Sequence, residues 1–347
     1  MKKQRGLIIK NLILIIAVVF ASCSQKSDKF INETTGKEEN IEIIRFDKEL
    51  FAAPQGDLKT FFSNLQKKYP EVMAVDLNDA RALKMISDFV SDKYVSDAQN
   101  IVERTFPDLK FLENDLTSAF ANLKKHHKQT VLPKRFFTLM SVPSDFSMGF
   151  EERTYTNGDY CYIALDLYSF PAIGKNPYYS QFPQYMTATL SQRYIAPDFM
   201  RMYLKNVTYK NAPDMQMNPD ATLLDCIIEN GKYSYIITQI LPSYTSFEIL
   251  RYTKEQEQWC QDNEKTIWAY IIQGRLLYEK DRSKFMSLIA EGPTSKPLGD
   301  SPARVGNYIG YNIVKKFMDN ESIGLDSLMN LNNSQIILEK SKYKPKK

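Results

Sequence analysis

Residues 252–278 constrain the fold more than any other stretch, because their start, apolar face and period agree. Thr253 followed by Gln256 has the Thr-x-x-Gln form of a capping box, in which the hydroxyl accepts from the Gln256 N–H and the Gln256 side chain reaches back. Trp259, Cys260, Ile267, Trp268, Ile271, Ile272 and Leu276 then recur at three- and four-residue spacing, on one side of a 3.6-residue period. The spacing predicts one long helix with a buried stripe. Asn263 and Glu264 interrupt it. A carboxylate beside two indoles is costly unless paired or hydrogen-bonded, so Glu264 either reaches water at an edge or takes a partner from elsewhere.

Residues 301–318 supply the expected partner. Ser301-Pro302 reads as an N-cap and first helical position, which sets Arg304 in a first turn where the helix dipole disfavours a cation. A buried pair of Glu264 with Arg304 resolves both anomalies. Val305, Tyr308, Ile309, Ile313 and Phe317 form the core stripe of this helix, and Gly306 and Gly310 admit close approach of another helix.

Upstream, apolar residues at helical spacing predict helices over 57–69, 78–90, 96–125, 184–194, 198–206 and 220–241, the last capped by Asp220. An entry strand starts at Ile41, and strands over 135–141, 151–155 and 160–166 follow, the last two joined by the hairpin signal Asn157-Gly158. The reading is α+β, mainly helical with a small antiparallel sheet. Residues 170–183, rich in Pro, Gly, Tyr and Asn, are expected as loop, and 170–185 as a partner-facing surface.

The first residues stand apart. Lys2, Lys3 and Arg5 precede a short apolar run over 12–21, and Ala21-Ser22 places small residues before Cys23. The run is too short for a comfortable membrane span. Small residues before cysteine resemble the lipobox of bacterial lipoproteins, which implies a cleaved leader over 1–22 and acyl chains such as palmitate on Cys23. Residues 23–40 are polar and read as a tether, and 41–347 as a single globular domain. Residues 1–22 hold Lys2, Lys3, Arg5 and Lys10 and no acid, so removing them takes Lys+Arg from 45 to 41 against 41 Asp+Glu. The net charge of zero argues against nucleic-acid binding. Cys161, Cys226 and Cys260 remain, an odd number that gives no disulfide framework.

Candidate chemistry is sparse. His126 and His127 are the only histidines and lie in a basic run, and neighbours in a regular element point apart, so a metal site is not expected there. Asp166 is an acid in an apolar run, at the strand's exit or hydrogen-bonded. Asp225 and Glu229 lie at i, i+4 on one face, read as solvated or, with Asp166, as an acid cleft. No cofactor is expected.

Ile43-Ile44-Arg45-Phe46-Asp47, TLLDCIIENGKYSYIITQILP, YTKEQEQWCQDNEKTIW, RLLYEKD, SPARVGNYIGYNIVKKFM and SKYKP, in this order, resemble the gliding motility lipoprotein GldB family. The resemblance implies a lipid-anchored envelope protein whose partners are the membrane and proteins of the gliding or secretion machinery, and the lack of an acidic run directly after Cys23 favours a periplasm-facing placement. A more distant likeness, to zinc metalloproteases, implies a degenerate zincin-like fold. The helix that would carry His-Glu-x-x-His is PDFMRMY here, and Asn230 rather than Glu precedes Gly231. That substitution of ligands implies a protein that holds no stoichiometric zinc, is not an enzyme, and serves as accessory scaffold or as peptide- or protein-binding module.

Overall fold

The structure is a computed structural model and describes residues 40–54, 56–141, 153–208, 215 and 218–346. The leader, Cys23 and the tether to residue 39 lie outside the described residues. Residues 39–347 group as one unit.

The chain enters through β1 (Ile43–Ile44), then α1 (Phe46–Phe51), α2 (Leu58–Lys68), α3 (Ala80–Ser91), α4 (Lys93–Thr105) and α5 (Lys110–His126). The single helix expected over 96–125 is two. Phe106, which precedes Pro107, takes φ −125° and ψ 72°, out of the helical region that a residue before proline avoids. Next come β2 (Arg135–Leu139), β3 (Thr154–Thr156) and β4 (Tyr160–Ala164), with short helices α6 (Leu165–Tyr168), α7 (Phe170–Ile173) and α8 (Gln184–Thr187). A 3₁₀ turn over Gln192–Tyr194 leads into α9 (Ile195–Tyr203), and a π-helical turn over Leu204–Thr208 leaves it. The C-terminal half is helical throughout: α10 (Leu223–Ile240), α11 (Ser246–Leu250), α12 (Lys254–Asp262), α13 (Glu264–Gln273), α14 (Arg282–Ile289), α15 (Val305–Asn320), α16 (Leu325–Asn330) and α17 (Ser334–Ser341).

The sheet has the order β1-β2-β4-β3 and is mixed. The β3–β4 hairpin is antiparallel, as its Asn-Gly turn demands, with Gly158 at φ 96° and the Asn157 side chain accepting from the N–H groups of Asp159 and Tyr160. The other two pairings correct the antiparallel expectation: β1 runs parallel to β2 and β2 to β4, with Ile43 opposite Phe136 and Phe136 opposite Cys161. Burial on both faces goes with that arrangement. Phe136, Cys161 and Ile163 join the main core, while Phe137 joins a smaller core under α1 and α2 with Phe46, Phe62 and Tyr69.

In the main core α10 and α15 make the most extensive helix–helix contact, because Gly231 and Gly310 remove the side chains that would separate them. A Cβ on Gly310 would stand 1.8 Å from the Ile227 carbonyl oxygen, and one on Gly231 would stand 2.4 Å from the Gly310 oxygen. Gly306 is similarly close to the Leu288 carbonyl of α14, at 2.9 Å. The expected stripe Val305, Tyr308, Ile309, Ile313 and Phe317 is buried.

Residues 252–278 form two helices rather than one. The Thr253–Gln256 capping box is present, but the chain breaks at Asn263, whose side-chain amide bonds back to the Trp259 carbonyl and competes with the helical ladder. Cys260, Ile267, Ile271 and Leu276 are buried as expected, whereas Ile272 is exposed. Glu264 is buried but does not meet Arg304. It accepts a 2.6 Å hydrogen bond from the Tyr343 hydroxyl, whose ring packs edge-on against Trp268. Burial, then the hydrogen bond to Glu264, push the Tyr343 hydroxyl well above its usual pKa. The C-terminal segment thus closes the anomaly in the stripe.

Lys232 on α10 is buried and donates to the carbonyls of Met329 and Leu331, which end α16. Burial pushes its ammonium down to about 8, against the opposing pull of Glu229. An unfolded lysine titrates near pH 10.4, so between pH 8 and 10 the unfolded chain binds more protons and stability from this group rises with pH. Below pH 8 the full penalty of a buried ammonium remains. Thiols such as Cys161, raised to about 12 by burial, act in the opposite sense above pH 8.5. The difference between wild type and Lys232→Met isolates the lysine. Urea unfolding is expected to show that difference moving in favour of wild type by roughly 1–2 kcal/mol between pH 7.5 and 9.5. Parallel pH profiles for the two proteins would refute the assignment.

Candidate functional site

A cavity of about 550 Å³ opens between α9, α10, the start of α15 and the segment after α14. Six of its charged residues come from five places far apart in the chain. Arg153 precedes β3, Asp198 and Arg201 lie on α9, Arg251 ends α11, Glu291 follows α14, and Arg304 precedes α15. Lys205 and Glu229 also line it, so among the described residues five cations and three carboxylates do.

Asp198 is the hub. One of its carboxylate oxygens accepts from Arg153 at 3.1 Å and from the Tyr168 hydroxyl at 3.0 Å, and the other lies 3.1 Å from Arg251 Nε. Arg251 reaches Glu291 at 3.3 Å, and Arg304 reaches the same Glu291 oxygen at 3.4 Å. Arg201 donates to the Ser234 hydroxyl and to the Ile249 carbonyl, each at 2.9 Å. Arg304 also bonds the carbonyls of Leu250 and Arg251, and its guanidinium lies over the Tyr252 ring.

The backbone is strained where these arginines are presented. Arg251 and Arg304 take φ 60° and 62°, the left-handed region that side-chain-bearing residues avoid at about 1–2 kcal/mol each. Arg251 thereby ends α11, and Arg304 starts α15. The helix expected from Ser301 begins only at Val305, because Ser301 bonds to the Ser295 backbone instead of capping it. Arg304 is therefore not in a helical first turn, and its carboxylate partner is Glu291, not Glu264.

Electrostatics follow from the crowding of like charge. Burial, then the Arg251 charge, push both Arg153 and Arg201 down to about 10. Burial works to raise the Glu291 carboxyl, but Arg304, Arg251, Arg153 and Arg201 outweigh it and hold the group down at about 2. Arginine forks of this kind match planar oxyanions.

The other expected site residues have separate duties. Asp166 is fully buried in α6 and accepts from the Ser141 N–H, the Ser141 hydroxyl and the Tyr179 hydroxyl. Asp225 belongs to the capping box of Thr222, which replaces Asp220 as the cap of α10. Of the three, only Glu229 lines this cavity, so Asp166, Asp225 and Glu229 do not come together in it. The 170–185 stretch is not simply loop, since it buries Ile173 and Tyr179 and contains α7. Asp198, Arg201 and Met202 of α9 and Asn230 of α10 line the cavity. Among the described residues no cluster of His, Cys, Asp and Glu has the geometry of a metal site. No helix among them is long and apolar enough to cross a membrane. Sequence reasoning missed the arginine cluster; its one visible trace was Arg304 as a misplaced cation.

No curated protein and no solved structure matches the chain. The family model described as gliding motility protein GldB matches residues 27–345, nearly the whole sequence and every wall of the cavity. The chain therefore belongs to the gliding motility protein GldB family.

Proposed function

We propose that this protein is a non-catalytic, lipid-anchored accessory protein of the gliding or associated envelope secretion machinery, attached through acyl chains on Cys23 and facing the periplasm. The observation that carries the reading is the family match over 27–345, which begins just past the lipobox-like Ala21-Ser22-Cys23. The chemistry of the cavity supports the non-catalytic part. A general base at neutral pH needs a pKa near 7, and Glu291 held at about 2 is far from it. Asp198 is committed to Arg153, Tyr168 and Arg251. The cavity itself favours a second reading alongside the first, in which the protein holds the end of a peptide or protein.

Crosslinking in intact cells, followed by pull-down and mass spectrometry, tests the role. Recovery of gliding or secretion-machine components with the wild-type chain, and their loss with Cys23→Ala, is the expected result. Recovery of the same components without the anchor would remove the lipid from the argument. Recovery of none of them would leave the family name as a label only.

A further inference from the structure

We propose that the open cleft between α4 and residues 172–177 is a binding site for a neutral oligosaccharide. The cleft shares no lining residue with the arginine-lined cavity, and its ligand is independent of the machinery the protein serves.

The cleft follows from the two-sidedness of α4. Val95, Ala98, Gln99 and Val102 are buried on one face of that helix, so Tyr94, Asp97, Ile101 and Arg104, at three- and four-residue spacing, share another. This second face lines a space of about 680 Å³ with α7 and the turn after it, a volume within the range of small-molecule sites, roughly 300–1,000 Å³. Tyr94 and Arg104 stand about 15 Å apart along the helix axis, at 1.5 Å of rise per residue. A chain of several rings follows that length, and a single ring does not use it.

The walls are held in place before any ligand arrives. The Asn176 amide donates to the Tyr94 carbonyl at 2.7 Å, and the Tyr178 N–H donates to the Asn176 side-chain oxygen at 3.0 Å. The Tyr178 hydroxyl donates at 3.0 Å to Asp92, the N-cap of α4. The Tyr94 and Tyr178 rings meet edge to face at 5.8 Å. Tyr94 is thereby fixed at the cleft while 44% exposed. An aromatic ring presented to water in a fixed position suits the C–H groups of a sugar ring, whose partial positive charge meets the negative ring face.

The rest of the lining selects the ligand. Asp97 and Glu103 stand with Arg104 and Lys175, so the charges among the described residues of the lining balance, and nothing in that balance favours phosphate or nucleic acid. Among the described residues the side chains of Asp97, Asn100, Arg104 and Lys175 make no hydrogen bond or ion pair. Glu103 accepts one bond, from the Gln99 amide at 3.2 Å. Unspent donors and acceptors therefore stand side by side, and vicinal hydroxyls, each donor and acceptor at once, satisfy both kinds. A polypeptide partner fits less well, because the centre of a protein interface is depleted of charge and anchored by buried apolar side chains. Water alone would answer the polar groups. It does not explain a tyrosine pinned among them.

Calorimetric titration of the full lipidated chain in a sugar-free detergent tests the assignment. The probes are chitotetraose, maltotetraose, N-acetylglucosamine, inorganic phosphate and the peptide acetyl-Glu-Lys-Glu-Lys-amide. At least one tetrasaccharide is expected to bind, about tenfold or more tightly than the single sugar, with an affinity that changes less than about twofold when salt is raised about tenfold. Asp97→Ala removes an acceptor for a charge-assisted hydrogen bond and is expected to weaken that binding about tenfold. Tyr94→Ala removes the ring and is expected to weaken it about threefold to tenfold. The Asp97 side chain bonds to nothing among the described residues, so its variant keeps the fold even if loss of the Tyr94 ring disturbs it. Several outcomes would overturn the proposal: no binding by either tetrasaccharide, equal binding of the single sugar, tighter binding of phosphate or the peptide, or binding undiminished in Asp97→Ala. Tighter binding of the peptide would reassign the cleft to a polypeptide. Failure of these titrations leaves the pull-down untouched, so the two readings fail separately.

Discussion

Gly310→Ala is expected to destabilise the protein by about 4 kcal/mol or more, placing it in the exceptional tail of single substitutions. The new methyl would lie 1.8 Å from the Ile227 carbonyl oxygen and 2.5 Å from its carbon, both backbone atoms of α10. No rotamer change can relieve a clash with backbone, so α10 and α15 must separate. That movement also loosens the packing around Ile227 and Gly231, which buries the centre of the main core. Gly292→Ala is the control, since its nearest neighbour would be the Thr294 oxygen at an ordinary 3.6 Å; a change within about 0.5 kcal/mol is expected there. Urea unfolding of both variants decides the matter. A loss below about 1 kcal/mol at Gly310 would mean that the helices are not held at backbone contact.

Asp198→Ala is the second large effect, at about 3–5 kcal/mol, through electrostatics rather than packing. The carboxylate is buried and takes bonds from Arg153 and Tyr168, with Arg251 beside it, and Arg153 is itself only 3% exposed at its side chain. Removing it leaves a guanidinium in the interior with no counter-charge on Asp198 and brings the repulsion from Arg251 forward. The double variant Asp198→Ala with Arg153→Met is expected to recover part of the loss, because a methionine spares the interior its charge. Thermal and urea unfolding give the comparison. If the double variant proves no more stable than Asp198→Ala alone, Arg153 is not what Asp198 neutralises.

Local signals were legible in the sequence wherever the cause lay within a few residues. The Thr253–Gln256 capping box, the Asn157-Gly158 hairpin and the stripe from Val305 to Phe317 are written in adjacent positions, and each is found in the fold. Gly306 and Gly310 announced a close helix contact, though not its partners. The same kind of reasoning failed where two local signals competed. Thr222 outbid Asp220 for the cap of α10, because Asp225 three residues on completes a box with threonine. Asn263 bonded back to Trp259 and broke a helix whose apolar period runs straight through the break.

What the sequence by itself determined is the helical class, the hairpin, the small-residue seam and the family, because those depend on periodicity, turn chemistry and the order of motifs. Tertiary structure alone decided the parallel pairing of β1 with β2, the docking of Tyr343 on Glu264, and the cavity. The physical reason is common to the three. Each joins groups separated by long stretches of chain, and a charge at one position says nothing of which distant charge will meet it. Arg304 shows this most plainly. Its oddness was visible in the sequence, but its partner depended on a left-handed backbone turn that an arginine side chain does not advertise, and that turn aims it at Glu291 instead of Glu264.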